Sequence, residues 1–349
     1  MSTPSLSGAR DDLDPRTDAR LSHTMPEHVR WLWPGRIPLG KLTVMEGDPA
    51  VGKSTLTLDL AARVTTGVQW PDGQPGTASA SVLLLSAEDG LADTIRPRLE
   101  AAGADLDRVV AWGKEWDQQD VDWHLRPVVF PTDLSGLERR IRRDEARLVV
   151  VDVLVAYLSD RIDAHKDQAV RVLLSRLAEV AERSGAAIIM LRHLNKSGTG
   201  PAIYRGGGSI GIIGAARAGY QVIRDGDDPN RRLFACIKLN LAPEPPTLAY
   251  QLIGVPELGV AKVDWEANPD PRSADDLHAD AVTGPTKLRV AADWLADYGT
   301  TYGGHAHSVD VIAAASQEGI SEPTLRRARA KAGIVVADDR SGLWTWPSA

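Results

Sequence analysis

Residues 42–64 read "LTVMEGDPAVGKSTLTLDLAARV", an apolar run, a glycine-bounded turn and a helical pattern with no gap between them. Inside it, Gly47–Ser54 ("GDPAVGKS") satisfies G-x-x-x-x-G-K-[ST] in full. A stretch of this kind needs a buried strand to deliver the loop and a helix that packs back on the same sheet, so it commits the chain to an α/β layout. The glycines let backbone N–H groups curl around phosphate oxygens, and the helix start adds the positive end of its dipole. Gly47, Asp48, Pro49, Ala50, Val51, Gly52, Lys53, Ser54 and Thr55 are therefore the expected nucleotide cradle. In it Lys53 reaches the β- and γ-phosphates of ATP, and the Ser54 hydroxyl ligates Mg²⁺.

A magnesium strand is expected at "RLVVVDV", where Asp152 ends a buried run and points into the nucleotide crevice. The residues after it, Val153 and Leu154, cannot polarise water, so the general base must come from another strand. Glu88, in "VLLLSAEDG" just past Val82–Leu85, is the choice, because neighbouring parallel strands bring their carboxyl ends to one crevice. The alternative for this acidic pair is helix capping near Leu91, a role Asp89 could fill.

By composition, residues 1–27 are polar and Pro-containing and read as a mobile tail. Residues 28–264 alternate short apolar runs with helical patterns, giving a mostly parallel sheet with strands "KLTVMEG", "SVLLLSAE", "RLVVVDV", "AAIIMLRH" and "LFACIKLN". Residues 265–285 are polar and acidic and read as a linker, and residues 286–349 as a small second domain. The formal charge of -7 leaves nucleic-acid contact to local basic patches. Cys236 is the only cysteine, which excludes an internal disulfide, fits a reducing compartment and reads as a buried strand residue. With no apolar leader and no run of the ~20 residues that span a bilayer, a cytoplasmic protein without membrane contact is expected. Trp31 and Trp33 either pack over the sheet edge or stack on adenine.

In the last region "TKLRVAADWLADYG" is an amphipathic helix with Leu288, Ala291, Ala292 and Leu295 on one side. In "ISEPTLRRARAKAGI", Ser321 caps a helix with Pro323 in its first turn, and "IVVADDRSGLWTWP" supplies a two-strand wing. The pattern is that of a winged helix-turn-helix. Arg326, Arg327, Arg329 and Lys331 project from the third helix, placed for phosphate or major-groove contact. Asp338 and Asp339 in the wing oppose tight backbone binding there, and a helix that only contacts protein is the alternative.

The P-loop, the distant glutamate and the lone aspartate together resemble the RecA/DnaB-type ATPases, and most of all the RepA-like hexameric helicase branch, AAA_25. The resemblance covers roughly Arg30 to Leu252 and rests on "WLWPGRIPLGKLTVMEGDPAVGKS", "LLLSAEDGLADTIRPRL", "VVVDVLVAYL", "MLRHLNKSG", "YRGGGSIGIIGAAR" and "KLNLAPEPPTLAY". It implies a RecA-like core and makes His193 a sensor of the γ-phosphate with a catalytic part. Through Arg205, Gly208, Ser209 and Ile210 it places single-stranded DNA on a Gly-rich loop in which Lys196 and Arg205 supply charge for phosphates, and which composition alone also allows to be a surface or subunit-packing loop. Gly206 stands where the helicases carry an acid. It further implies a homo-oligomeric ring, possible as a hexamer, completed across subunits by a basic finger. Lys238 matches one finger position, Asn240 cannot fill the second, and Arg217 is the substitute. Two readings follow: a DNA-dependent ATPase motor, or an ATP-switched module resembling KaiC-type proteins. A small-molecule kinase is disfavoured because no acceptor lid is visible in the sequence.

Overall fold

The computed structural model describes residues 21–113, 128–159, 162, 167–194, 203, 210–226, 228–277, 287–336 and 342–347. Met1–Arg30 and Trp31–Ala349 form separate units. In the first, a 3-10 turn spans Leu21–His23.

The second unit opens with a hairpin of β1 (Trp31–Trp33) and β2 (Ile37–Pro38). Among the described residues its main sheet has nine strands: β3 (Leu42–Gly47), β4 (Ser81–Ser86), β5 (Val109–Ala111), β6 (Ala146–Asp152), β7 (Ala187–His193), β8 (Ala218–Arg224), β9 (Arg231–Leu239), β10 (Leu248–Val255) and β11 (Val260–Trp265). They lie in the order β11-β10-β9-β8-β3-β7-β6-β4-β5. The strands from β8 to β5 pair in parallel, whereas β9, β10 and β11 continue the sheet antiparallel. This is an α/β RecA-like P-loop core, and all five expected strands are present in it.

Both faces of the parallel part are covered, so its strands are apolar without alternation. In β6, Leu148 and Val150 face one core together with Leu56, Leu60 and Val64 of α1 (Lys53–Thr66). Val149 and Val151 face the other core. That core holds Leu137 and Ile141 of α3 (Leu134–Arg143) and Leu173 and Leu177 of α4 (Asp167–Ser184). Each such buried leucine stabilises the fold by about 1.5–3 kcal/mol relative to an exposed one. Two short helices add to these cores, α2 (Arg96–Ala101) through Leu99 to the first and α5 (Gly211–Ala215) through Ile212 and Ile213 to the second. Cys236 is buried in β9, as its apolar setting implied.

Trp33 is fully buried, stacked on Trp70 with centroids 4.8 Å apart and on Phe234 at 5.9 Å. Its indole N–H donates to Asp72 at 3.0 Å. Packing is therefore the role of Trp33, and the adenine-stacking alternative does not apply to it.

The stretch 265–285, expected to be a linker, begins with packed structure. Thr247 bridges Asp270 in antiparallel fashion, and Ala274 and Leu277 bury themselves against Leu233, Ala235 and Ala249. Arg231 binds Asp225, Glu266 and Asp270, and Arg272 binds Asp225 and Asp270. The acidic composition that suggested a solvated linker is used to tie this segment to β9. Residues 278–286 lie outside the described set.

Towards the end of the chain come α6 (Lys287–Thr301), β12 (His305–His307), α7 (Ser308–Gln317), α8 (Glu322–Lys331), β13 (Val335–Val336) and β14 (Leu343–Thr345). The strands form a small antiparallel sheet ordered β12-β14-β13, one strand more than the two expected. Ala291, Leu295, Val311, Ala315, Leu325, Ala328, Ile334 and Trp344 make a separate core here. The Ser321 and Thr324 hydroxyls lie 2.9 Å apart at the start of α8. Asp338 and Asp339 lie outside the described residues, as does the side chain of Leu288.

Candidate active site

The strand order decides which residues meet. Gly47 at the end of β3 is level with His193 at the end of β7, and Asp152 at the end of β6 is level with Ser86 at the end of β4. Since β3, β7, β6 and β4 are consecutive in the sheet, the loop residues, His193, Asp152 and the Glu88 loop share one edge. One strand thus separates the P-loop strand from the aspartate strand, and its last residue is His193.

The loop itself takes shapes that only certain residues allow. Gly52 has φ of 98° and forms the N-cap of α1, and a Cβ there would lie 2.9 Å from Leu252 Cδ1. A Cβ on Gly47 would lie 2.5 Å from the Val222 carbonyl oxygen. Asp48, Pro49 and Ala50 are exposed, while Val51, Lys53 and Thr55 are buried. The Lys53 ammonium donates to the carbonyls of Gly47 and Asp48, both at 2.8 Å, and lies 3.3 Å from His193 Nδ1. Burial lowers its pKa, against the opposing pull of Asp152, Asp48 and Glu88.

Asp152 is 9% exposed and hydrogen-bonded by Ser54. Burial pushes its carboxyl up to about 6; Ser54 and Lys53 oppose this, while Asp89 and Glu88 add to it. The peptide bond that follows it is cis. Glu88 is well exposed, with Oε1 4.0 Å from His193 Nε2. His193 therefore stands between Lys53 and Glu88, and burial, followed by the charge of Lys53, lowers its pKa against the pull of Glu88, which favours the neutral ring. A neutral imidazole there can accept from Lys53 at one nitrogen and present the other towards Glu88.

Capping does not account for the acidic pair. The turn at Leu91–Ile95 has Gly90 as its N-cap with no side-chain bond, and Asp89 is engaged by Arg98 at 2.9 Å. The Ala87 N–H donates to the Asp152 carbonyl at 3.0 Å, which joins the Glu88 loop to the aspartate strand. Reading the sequence missed Arg98, because an arginine ten residues past Glu88 carries no local signal. It also missed the buried cross-strand pair of Glu46 and Arg192, 2.7 Å apart beneath Gly47 and His193. Only the parallel pairing of β3 and β7 makes those neighbours.

Other expected site residues lie elsewhere or cannot be placed. Lys238 is level with Gly219, which is level with Val44, so it sits towards the amino end of β3, away from the P-loop. Its ammonium donates to the Ile213 and Gly214 carbonyls at 2.8 and 3.0 Å. Arg217 is exposed at the same end, its backbone N–H donating to the Leu42 carbonyl. Lys196, Arg205, Gly208 and Ser209 lie outside the described residues. On α8, Arg326 is paired with Glu322, Arg327 is exposed, and the side chain of Lys331 is outside the description. Arg329 does not project as expected: its guanidinium lies 5.1 Å from the centroid of the Trp344 ring, because that face of α8 closes the small core.

The donor set fits a magnesium ion held jointly with a nucleotide. Ser54 and Asp152 are hard oxygen donors already in contact, and burial of the carboxylate favours an arriving cation. Among the described residues no group of three or more His, Cys, Asp or Glu could hold a metal, so phosphate oxygens and water would complete the shell. No helix among the described residues is long and apolar enough to cross a membrane.

Residues 9–199 match the AAA_25 family, described as an AAA domain, a stretch that starts within the expected tail. The chain is 28% identical over 183 residues to the DNA repair protein RadA of Halalkalibacterium halodurans, covering 52% of this chain and 34% of that protein. It is 27% identical over 186 residues to RadA of Listeria monocytogenes, with the same coverage. For RadA of Streptococcus pneumoniae the identity is 26% over 182 residues, covering 52% of this chain and 36% of the relative. The matched stretch thus spans about a third of each relative's length.

Proposed function

We propose that this chain, which belongs to the AAA_25 family, hydrolyses ATP in a manner coupled to single-stranded DNA, as a DNA-dependent ATPase of the RepA-like helicase type. Its core is that of a P-loop enzyme of the ATPase class. The observation that carries the reading is the meeting of Lys53, Ser54, Asp152, His193 and Glu88 at one sheet edge. The DNA half of the reading draws on the relatives, which are DNA repair proteins by name.

In this reading the P-loop amides and Lys53 hold the phosphates of ATP, and Ser54 and Asp152 hold Mg²⁺, which supplies charge neutralisation when bound. Glu88, exposed to solvent at the crevice, takes the proton of the attacking water. His193 links Lys53 to Glu88 and senses the γ-phosphate. The far-end pair Lys238 and Arg217 is presented to a neighbouring copy in a ring, and the loop bearing Lys196, Arg205, Gly208 and Ser209 grips the strand. The final module is read as a winged helix-turn-helix with Arg326, Arg327 and Lys331 towards DNA.

Steady-state ATPase rates with and without single-stranded DNA test this in the wild type, Lys53→Ala, Glu88→Gln and Arg205→Ala. Lys53→Ala is expected to lose nucleotide binding. Glu88→Gln is expected to keep it while turnover falls about 10²–10⁴-fold. Arg205→Ala is expected to lose only the stimulation by DNA. A rate indifferent to DNA in the wild type would refute the coupling and favour the ATP-switched, KaiC-like alternative.

A further inference from the structure

Two adjacent arginines on β9 have opposite surroundings. Arg231 is clasped by the carboxylates of Asp225, Glu266 and Asp270. Arg232 is 8% exposed, and among the described residues it hydrogen-bonds to backbone carbonyls, with no carboxylate paired to it. Its Nε–H donates to Val51 in the phosphate loop at 3.2 Å, and its Nη1 donates to Pro229 at 2.6 Å and Arg231 at 3.2 Å. Asp228 is near enough to act on it through space, but a buried guanidinium with no carboxylate in contact is costly. It is tolerated where an anion can supply the missing charge.

The register explains how a residue so distant in sequence reaches the loop. Gly47 is level with Val222, and Val222 with Phe234. Arg232 lies beyond Phe234 towards the crevice, level with Arg224 and Tyr250. The β9–β10 pair therefore outruns β3 and backs the loop, with Leu252 of β10 close against Gly52.

Covalent geometry gives that contact a consequence. Val51 C=O and Gly52 N–H belong to one planar trans peptide and point in opposite directions. A donor that fixes the carbonyl on the outside of the loop aims the N–H at its inside.

We propose that Arg232 is a positioning residue of the phosphate loop, which turns the Val51–Gly52 peptide so that its N–H faces the nucleotide phosphates and adds a positive charge behind them. The proposal rests on the ATP-binding reading above and deepens it. Arg232 touches no reacting atom, so its effect falls on binding.

The test uses the full chain with Arg232→Met, Arg232→Gln and Arg232→Lys, measuring Kd for Mg-ATP and Mg-ADP together with kcat and KM. Arg232→Met is expected to weaken both nucleotides about 10–100-fold, the range of a charge-assisted hydrogen bond, with kcat little changed. Arg232→Gln is expected to fall between it and the wild type, and Arg232→Lys, which keeps charge and a donor, to recover most of the affinity. Should Arg232→Met not fold, Arg232→Gln carries the test. Affinity equal to wild type in whichever of the two folds, or a loss confined to kcat, overturns the proposal. Failure of the wild type to bind ATP would instead overturn the ATP reading on which it stands.

Discussion

The crevice end of the main sheet and the exposed face of α8 both carry charged residues, and they use them in opposite ways. At the crevice, Lys53, His193, Ser54 and Asp152 are drawn into contact in a partly buried setting, where each group alters the ionisation of the next. On α8, Arg326 is neutralised by Glu322 one turn away and Arg327 stands in solvent. Charges held in low dielectric are strong and sensitive to position, while exposed ones are screened and interchangeable. Chemistry therefore belongs to the first region, while the second offers screened surface charge, which the proposed reading turns towards DNA.

The sharpest way to break this contrast is Asp152→Asn. ATP turnover is expected to fall to background, a loss of about 10³-fold or more, because in the proposed mechanism Asp152 holds the Mg²⁺ that stabilises transferring charge and a neutral amide cannot. The same variant is expected to be more stable than the wild type at pH 7.5. The folded pKa of Asp152 is raised to about 6, so the fold favours the protonated form and bears a penalty once the carboxylate ionises. That penalty is absent below about pH 4, grows as pH rises to about 6 and is complete above it, amounting to about 1–3 kcal/mol. Melting curves at pH 4 and 7.5 check this: a stabilisation equal at both values would mean the burial of the charge is not its cause.

Next in size is a change to the small core. Leu295→Ala is expected to cost the C-terminal module about 2–5 kcal/mol, read as a separate early melting step, while the DNA-independent ATPase rate stays at the wild-type level. Loss of that basal rate would show that the two cores are coupled. Gly52→Ala should cost about 1–3 kcal/mol, since alanine is strained at φ of 98° and meets Leu252. Its KM for ATP should rise as well. Adding Leu252→Ala relieves the contact but not the backbone strain, so only partial recovery of Tm is expected.

The smallest effects belong to α8. Arg326→Ala and Arg327→Ala should each change stability by about 0.5 kcal/mol or less, as exposed ion pairs and free surface charges do. If the module binds DNA, Arg327→Ala lowers the slope of log affinity against log salt by about 1. A slope unchanged by that substitution would detach α8 from nucleic acid and leave it a protein-contact helix.

Legibility in the sequence followed the same division between local and distant. The phosphate loop could be read because strand, glycines, lysine and helix are contiguous, and its strained φ at Gly52 needs glycine. The aspartate strand and the Glu88 strand could be read from their apolar runs. That His193 lies between Lys53 and Glu88 could not, because it depends on β7 inserting between β3 and β6. The packed segment 266–277 was misjudged for a related reason. Its acids look solvated until Arg231 and Arg272 are brought beside them by the antiparallel strands.

By itself, then, the order of residues determined the α/β core, the phosphate loop and the identity of its lysine and serine, since backbone conformation and apolar periodicity act over a few neighbours. Only the tertiary structure decided the partners: Ser54 with Asp152, His193 with Lys53, Asp89 with Arg98, and Arg232 with Val51. Those contacts depend on strand order and register, which pair residues far apart in the chain, and no local pattern encodes them.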